Sequence, residues 1–283
     1  MSTIAIIGAG DLGGAVAQAL ASRECVRRVV IVDASASVAA GKALDIQQSG
    51  AVDAFHTRLT ATSDLDAVVG AAACIVADRA GSPAAEWQGD NGLAMLGRLV
   101  PYLADAPIVF AGALQTRLMQ HVADEMRAPR ERLIGSAPEA FASAVRAIVA
   151  VEAQCSPGEV SLAVLGTPPA LVVPWSEASI GGYALERVLT QVQITRLDAR
   201  AVRLWPPGPF TLGAAAARMA EAIVTSSRRS FSALAPLGGE FGVRNRIGAL
   251  PVLLSPAGIA RVRVPVLNTR ERVRVESSLT ISS

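Results

Sequence analysis

Apolar runs of strand length alternate with stretches of helical periodicity through the first half of the chain. Buried strands are predicted at 3–7, 29–32, 71–77 and 107–111, a short strand at 57–61, and helices at 11–22, 36–49, 86–103 and 114–126. Strands separated by helices of this length are typical of a parallel sheet covered on both faces. The pattern therefore predicts an α/β fold built on a Rossmann-type, doubly wound parallel sheet.

The turn after the first predicted strand carries three spaced glycines, and the second strand ends in Asp33, twenty residues beyond Gly13. Glycines alone are a weak signal, but a strand before them, a helix after them and an acid at this distance make the dinucleotide fingerprint. Phosphates then bind at the free N–H groups of the helix start. The predicted cofactor-binding residues are Gly8, Gly10, Asp11, Leu12, Gly13 and Asp33. The alternative is a turn whose glycines serve packing only.

The second half of the chain is richer in predicted strands. Ser136 and Glu139 stand three residues apart and predict a capping box, followed by a helix to about residue 151. Strands are predicted at 160–165 and 170–173, a long helix around 211–226, and a hairpin from 250–254 and 259–264. We place the domain boundary near Ile134, with a dinucleotide-binding domain over 1–134 and a C-terminal α+β domain over 135–283.

Composition narrows the class of protein. The 283 residues suffice for two modest domains or one large one, and 51% hydrophobic with 18% charged residues is ordinary for a soluble globular protein. A net charge of +2 is too small to indicate nucleic-acid binding, and no long apolar run indicates a membrane span. The three cysteines have no metal-type spacing, and Cys74 is expected as a buried thiol. No signal peptide precedes the first strand, so we expect a cytoplasmic protein.

Several short segments resemble the lactate/malate dehydrogenase family, and they occur in the family's order over nearly the whole chain. They are Asp33 with residues 41–45, residues 80–83 followed by Asn91, residues 132–136, and residues 238–242, 250–252 and 256–258. The resemblance implies a Rossmann domain followed by the family's α+β C-terminal domain, with NAD as cofactor. It also implies a homodimer or higher homo-oligomer, paired through the helix after Asp33 and helices of the second domain.

The resemblance also implies a catalytic set that this sequence lacks. In the family a His acts as acid and base on the substrate oxygen, an Asp orients it, and an Arg binds the substrate carboxylate. The matching positions here are Pro168, Phe141 and Ala144. The loop between Pro83 and Asn91 is shorter than in the family and contains no Arg to polarise the substrate carbonyl. We therefore predict no catalytic residue at the family's positions.

Shifting the alignment does not recover an Asp–His pair. No His follows His121, and no Asp lies between Asp124 and Asp198. His56 and His121 are expected as surface or packing histidines, because an acid/base role is bound to a particular geometry. The family's Asn after the fifth strand is also missing, since residues 112–114 read Gly-Ala-Leu.

Four other polar residues near these positions have structural explanations. Glu139 is expected as a capping residue, Arg146 as the partner of a structural ion pair, and Thr211 as an N-cap. Arg79, at the end of the fourth strand, is expected as a surface residue; contact with a cofactor phosphate or a carboxylate is its alternative role.

Two functions remain open from the sequence. In the first, a lactate/malate dehydrogenase-like protein binds NAD or a related nucleotide but has lost its hydride-transfer machinery. In the second, an NAD-dependent oxidoreductase has a rebuilt site and acts on a substrate other than lactate or malate. A fold kept only for structural purposes is a third and less favoured alternative.

Overall fold

The computed structural model describes residues 2–81, 85–126 and 128–280. The strands are β1 (Thr3–Ile7), β2 (Arg28–Val32), β3 (Arg58–Thr62), β4 (Ala73–Val76), β5 (Asp78–Arg79), β6 (Ala85–Glu86), β7 (Ile108–Phe110), β8 (Leu133–Gly135), β9 (Val160–Ser161), β10 (Ser179–Ile180), β11 (Tyr183–Ala184), β12 (Ser230–Gly238), β13 (Arg244–Ser255) and β14 (Gly258–Val262). The helices are α1 (Asp11–Ala21), α2 (Ala36–Asp53), α3 (Gly89–Leu99), α4 (Thr116–Asp124), α5 (Ala137–Ala153), α6 (Leu185–Val188), α7 (Gln191–Ala201), α8 (Pro209–Thr225) and α9 (Thr269–Thr280).

One large sheet organises the molecule, with the strand order β14-β13-β12-β8-β7-β4-β1-β2-β3. The strands from β8 to β3 pair in parallel, and β12, β13 and β14 add antiparallel strands at one side. The predicted α/β class with a doubly wound parallel sheet is confirmed. The sheet continues past Ile134, since Gly135 of β8 pairs with Leu234 of β12. The division into two domains at that residue stays a prediction.

Both faces of the sheet are buried, which explains the unbroken apolar runs of its strands. In β1, Ile4 and Ile6 pack on one face with apolar residues of α1, α2 and α8. Ala5 and Ile7 face the other side, among apolar residues of α3 and α4. A separate core in the second half joins α5 and α7 with the β9–β10 region. The carboxyl ends of the parallel strands lie together along one edge of the sheet, between the helices that cover its two faces.

Some predicted elements of the second half differ from the structure. The strand predicted at 160–165 is reduced to β9, and 170–173 makes a single bridge, Val172 with Leu165. The hairpin of β13 and β14 is confirmed as an antiparallel pair, whereas the nine-residue strand β12 was missed. A run of apolar residues indicates that a segment is buried, but it does not show that the segment pairs as a strand. This ambiguity explains the errors at residues 160–165 and 170–173.

The predicted capping box at the start of α5 is wrong. Ser136 is the N-cap residue, but its hydroxyl donates to Phe110 O at 3.4 Å instead of capping the helix. Glu139 instead contacts Ser232 and Arg146. The N-cap role expected of Thr211 is also wrong, because α8 begins two residues earlier, at Pro209. For Glu139, a backbone group of another element, Ser232 N, replaces the local partner that the sequence suggests.

The expected burial of Cys74 is confirmed. Its side chain is fully buried, and burial raises the pKa of the thiol to about 12. Over the described ranges, no group of His, Cys, Asp and Glu side chains is arranged to hold a metal ion. In the same part of the chain, no helix combines the length and the apolar character needed to cross a bilayer. The cellular location stays a prediction.

Candidate functional site

The turn between β1 and α1, residues 8–13, needs two of its glycines for close backbone packing. Gly8 has a φ of +114°, and a Cβ there would lie 1.8 Å from the carbonyl oxygen of Asp78. A Cβ on Gly13 would lie 2.1 Å from the carbonyl oxygen of Gly8. Any side chain at either position would force the turn apart. Gly8 thus permits the tight turn, and Gly13 lets the helix approach the strand closely, which are the roles of these glycines in a dinucleotide fingerprint.

Gly10 makes room for another side chain of the same protein. A Cβ at Gly10 would lie 2.3 Å from Oδ2 of Asp78, whose carboxylate fills that space. Asp78 Oδ1 accepts a hydrogen bond from Gly13 N at 2.7 Å, and Oδ2 accepts one from Leu12 N at 3.0 Å. Asp78 is only 4% exposed to solvent. The N–H groups that the sequence assigned to cofactor phosphates are therefore bonded to an internal carboxylate.

Lys42, the only lysine in the chain, crosses from α2 to the same turn. Its Nζ donates to Gly10 O at 2.6 Å, and a Cβ on Gly14 would lie 2.8 Å from its Cδ. Burial raises the pKa of the Asp78 carboxyl, while the N–H groups of Gly13 and Leu12 and the charge of Lys42 lower it. Lys42 thus supplies the positive charge that partly compensates the buried carboxylate.

Asp33 ends β2, as predicted, and ties together three loops at the carboxyl edge of the sheet. Its Oδ2 accepts from Ala9 N and from Ala80 N, each at 2.9 Å, and its Oδ1 accepts from Ser35 N at 2.8 Å. The residue is 5% exposed. Oδ2 already accepts two hydrogen bonds, whereas Oδ1 accepts one and keeps a lone pair, so a ribose hydroxyl can still donate to Oδ1. Asp11, the other acid of the predicted set, is exposed at the first position of α1.

A cavity of about 450 Å³ opens beside Asp33, and we call it the Asp33 cavity. Its polar lining comes from Asp33, Ser35, Arg79, Asn91 and Arg98 together with the indole of Trp87. The Arg79 guanidinium carbon lies 6.0 Å from the centre of the Trp87 ring. The Trp87 Nε1 is buried and has no hydrogen-bond partner among the described residues. Arg79 is exposed, as expected, and it also faces this cavity.

One segment resembles the start of the family's substrate loop. The part of it that the structure describes is held against the sheet. Asp78 and Arg79 of β5 pair with Glu86 and Ala85 of β6. The Glu86 carboxylate accepts from Ala113 N at 3.0 Å and from Leu114 N at 2.8 Å, in the turn after β7. Burial raises the pKa of Glu86, and these two N–H groups oppose the rise.

Ser82, Pro83 and Ala84 lie outside the described residues. The sequence predicts that this short loop does not close over a bound acid, and this stays a prediction.

The three positions matched to the family's catalytic residues carry no proton-transferring or charged group. Phe141 is buried in α5 and packs edge-to-face on Trp205, with ring centres 6.2 Å apart. Ala144 lies one turn further along α5. Pro168 follows Thr167, whose N–H donates to Ser278 Oγ at 2.8 Å. Phe141 is therefore engaged in an aromatic contact, and the side chain of Pro168 has no proton to donate.

Glu139, which is buried, and Arg146, whose side chain is 15% exposed, form an ion pair next to these positions. The Arg146 Nη1 donates to Glu139 Oε1 at 2.9 Å, and the other Glu139 oxygen accepts from Ser232 N at 2.8 Å. The structural ion pair expected for Arg146 is confirmed. Cavities of about 570 Å³ and 200 Å³ are both lined by this pair and by Arg229, and Thr211 lines the smaller one.

The two histidines lie away from these groups, as expected. His56 precedes β3, is exposed, and its Nδ1 lies 3.2 Å from Glu24 Oε1. His121 lies in α4, and its Nδ1 is 3.3 Å from Glu125 one turn later. Each histidine is accounted for by its contact with a neighbouring glutamate.

Comparison with known proteins shows which proteins this chain is similar to. Residues 2–86 match the NAD binding domain of lactate/malate dehydrogenase. A malate dehydrogenase from Thioalkalivibrio sulfidiphilus is 29% identical, with 99% of this chain and 96% of that protein covered. The structure of malate dehydrogenase from Salinibacter ruber superposes with a TM-score of 0.85 at 25% identity, covering 98% of this chain and 93% of that one.

The chain is similar to malate dehydrogenases over nearly its whole length, and its residues 2–86 match the NAD binding domain of the lactate/malate dehydrogenase family. A lactate dehydrogenase from Cryptosporidium parvum, solved with lactic acid and NAD, has the same fold, with a TM-score of 0.87 at 21% identity. The superposition covers 98% of this chain and 94% of the lactate dehydrogenase chain. The family resemblance that the order of short motifs suggested is confirmed.

The residues around this turn and cavity fit one half of an NAD molecule better than the other. The Asp33 cavity lies at the carboxyl edge of the sheet, beside the acid that meets the adenosine ribose in this fold. The pyrophosphate belongs at the start of α1, where Asp78 already accepts the hydrogen bonds of Leu12 and Gly13. The adenosine half fits, and the pyrophosphate half does not fit while Asp78 keeps this position.

Sequence reasoning missed Asp78, Lys42 and Glu86. One signal was present: Asp78 is a charged residue directly after the buried apolar run of β4. A carboxylate there must either be solvated or meet internal donors, and the free N–H groups of the adjacent helix start are such donors. The partners of Lys42 and Glu86 are distant in sequence, and no local pattern indicates them.

Proposed function

We propose that this chain is a lactate/malate dehydrogenase family member that binds NAD(H) and has lost hydride transfer on 2-hydroxy acids. The observation that carries the proposal is the replacement of the acid/base, orienting and carboxylate-binding positions by Pro168, Phe141 and Ala144. Phe141 is fully engaged in apolar packing. Turnover of nicotinamide cofactor with a panel of 2-hydroxy acids tests this function.

Support for NAD as the cofactor comes from two sources. Residues 2–86 match the family's NAD binding domain, and the turn keeps the fingerprint glycines with Asp33 at the end of β2. If NAD binds, Asp33 holds the adenosine ribose, the start of α1 holds the phosphates, and the Asp33 cavity holds the adenine. The nicotinamide would supply the hydride chemistry, for which the chain provides no proton donor at the family positions.

We expect NADH to bind at least ~10-fold more tightly than NADPH, because the Asp33 carboxylate repels a 2′-phosphate. The two ligands differ only at that phosphate, so their ratio in a fluorescence titration isolates the ribose end of the site. Arg79 and Arg98 line the same cavity and are the competing influence. Tighter NADPH binding that disappears in Arg79→Ala would contradict the expectation and assign the 2′-phosphate to that arginine.

We also propose that the protein is a homodimer. The helix α2, which follows Asp33, exposes Val38, Leu44 and Val52 at 45%, 58% and 86%. Apolar side chains grouped on one helix favour burial against a second copy.

Light scattering is expected to give twice the 29.1 kDa mass of one chain at micromolar concentration. Leu44→Glu is expected to lower that mass toward the monomer, whereas the matched change Val192→Glu on α7, where the side chain is 68% exposed, leaves it unchanged. A monomer in the unmodified protein would refute the proposal.

A second candidate function is an NAD-dependent oxidoreductase with a rebuilt site. The observation that favours it is the buried Glu139–Arg146 pair between two cavities, because such a pair could bind a polar substrate. Cofactor turnover with a non-family alcohol or carbonyl, lost in Glu139→Gln, would favour this candidate over the first.

A further inference from the structure

The Asp78 carboxylate resembles a bound phosphate in its contacts with α1. Its two oxygens accept from the consecutive N–H groups of Leu12 and Gly13, at 3.0 and 2.7 Å. A helix start offers these groups to an anion because they have no partner within the helix. An anion of the protein itself already satisfies them.

The backbone around Asp78 holds this carboxylate in place. The Asp78 carbonyl accepts from Gly10 N at 3.2 Å, and the residue pairs with Glu86 in the β5–β6 hairpin. The space above Gly10 is filled by Asp78 Oδ2, which a Cβ on Gly10 would approach to 2.3 Å. A phosphate placed at the same N–H groups would need this volume and would meet a buried negative charge.

The nearby charges do not remove that conflict. Lys42 donates to Gly10 O and lowers the pKa of Asp78, but it is one cation facing an acid and an incoming pyrophosphate. Asp11 adds a second negative charge close by and is exposed. Asp78 and a pyrophosphate therefore compete for the same donors.

We propose that Asp78 is an internal competitor for the cofactor's pyrophosphate, so that a dinucleotide binds only when this side chain leaves the start of α1. The inference rests on the proposed NAD(H) binding and adds the residue that limits it. Ligands with a pyrophosphate bear the cost of displacing Asp78. Adenosine, which has no phosphate, reaches the Asp33 cavity without displacing it.

The test is a titration of the full-length protein and its variants with NADH and, separately, with adenosine. Asp78→Ala is expected to tighten NADH binding at least ~10-fold, since each hydrogen bond to a charged group contributes about that much or more. Adenosine affinity is expected to change by less than ~3-fold, within the spread of ordinary surface substitutions. Asp78→Asn keeps the size of the side chain and is expected to give a smaller gain in NADH affinity.

Asp45→Ala is the matched control, because it also removes one negative charge, at an exposed position of α2 three residues after Lys42. It is expected to change NADH affinity by less than ~3-fold, as an exposed charge in high dielectric does. Should Asp78→Ala not fold, the gain in Asp78→Asn decides the question. A gain in Asp45→Ala as large as in the Asp78 variants would overturn the inference in favour of a general charge effect.

The remaining outcomes separate the inference from the function on which it rests. Equal NADH affinity in the unmodified protein and the Asp78 variants overturns the inference alone. An equal gain for adenosine and NADH also overturns it, because the effect then lies in the Asp33 cavity. NADH binding by none of these proteins overturns both the inference and the cofactor assignment.

Discussion

Purified protein is expected to show no measurable oxidation of lactate or malate, and no reduction of pyruvate or oxaloacetate, with either nicotinamide cofactor. Pro168 has no proton to exchange, and Phe141 packs on Trp205 where an imidazole would need an orienting acid. At position 144 an alanine stands where an arginine would pair with the substrate carboxylate, so that bidentate contact is lost. The measurement is nicotinamide absorbance over long incubation, with the T. sulfidiphilus malate dehydrogenase as positive control.

The size of the expected loss makes the result clear-cut. General acid–base catalysis contributes roughly 10²–10⁴-fold, and each oxyanion-type donor a further ~10²–10³-fold. Pro168→His alone is expected to restore nothing, because such groups act as a unit. Clear turnover of any of the four acids, abolished by a change in a pocket residue, would show that the assignment of positions 141, 144 and 168 is wrong.

Glu139→Ala is expected to lower the free energy of unfolding by about 3–5 kcal/mol, the usual cost of breaking a buried ion pair. The change leaves the guanidinium of Arg146, whose side chain is 15% exposed, without its acid, and leaves Ser232 N without an acceptor. Replacing both partners, as Glu139→Leu with Arg146→Met, is expected to cost much less, because no unpaired charge remains. Urea denaturation of the three variants measures these differences.

The control for this experiment is the exposed pair of Arg272 and Glu276, whose side chains are 57% and 43% exposed. Glu276→Ala is expected to change the free energy of unfolding by less than about 0.5 kcal/mol, since surface pairs contribute little. A cost for Glu139→Ala as small as this control would mean that water in the two flanking cavities solvates Arg146, and that the pair does not stabilise the fold.

Much of the fold was predictable because the strands of a doubly wound sheet are buried on both faces. The runs that became β1, β2, β4 and β7 are apolar apart from Thr3 and Arg28 at the first positions of β1 and β2, so burial and strand assignment coincided. The same reasoning failed at residues 160–173, where apolar residues are buried in loops rather than paired in strands. Strand β12 pairs with β13, which follows it in the chain, but its other partner, β8, lies far earlier in the sequence, so no local pattern indicated its place in the sheet.

The candidate site was predictable where local geometry determines it. Gly8, Gly13 and Asp33 act through the turn and strand ends to which they belong, and the sequence located all three. Asp78 and Lys42 reach the same turn from 65 and 32 residues away. A contact between side chains so far apart in sequence depends on the completed fold, so no spacing rule could have assigned it.

A single-turnover experiment tests the central claim, a family scaffold that binds NAD(H) without transferring hydride, most directly. Protein is saturated with NADH, complex formation is followed by cofactor fluorescence, and oxaloacetate or pyruvate is then added to the same sample. The account predicts a saturable fluorescence change and a nicotinamide absorbance that stays constant after the acid is added. Loss of that absorbance in step with the amount of protein, or no binding of NADH at all, would contradict it.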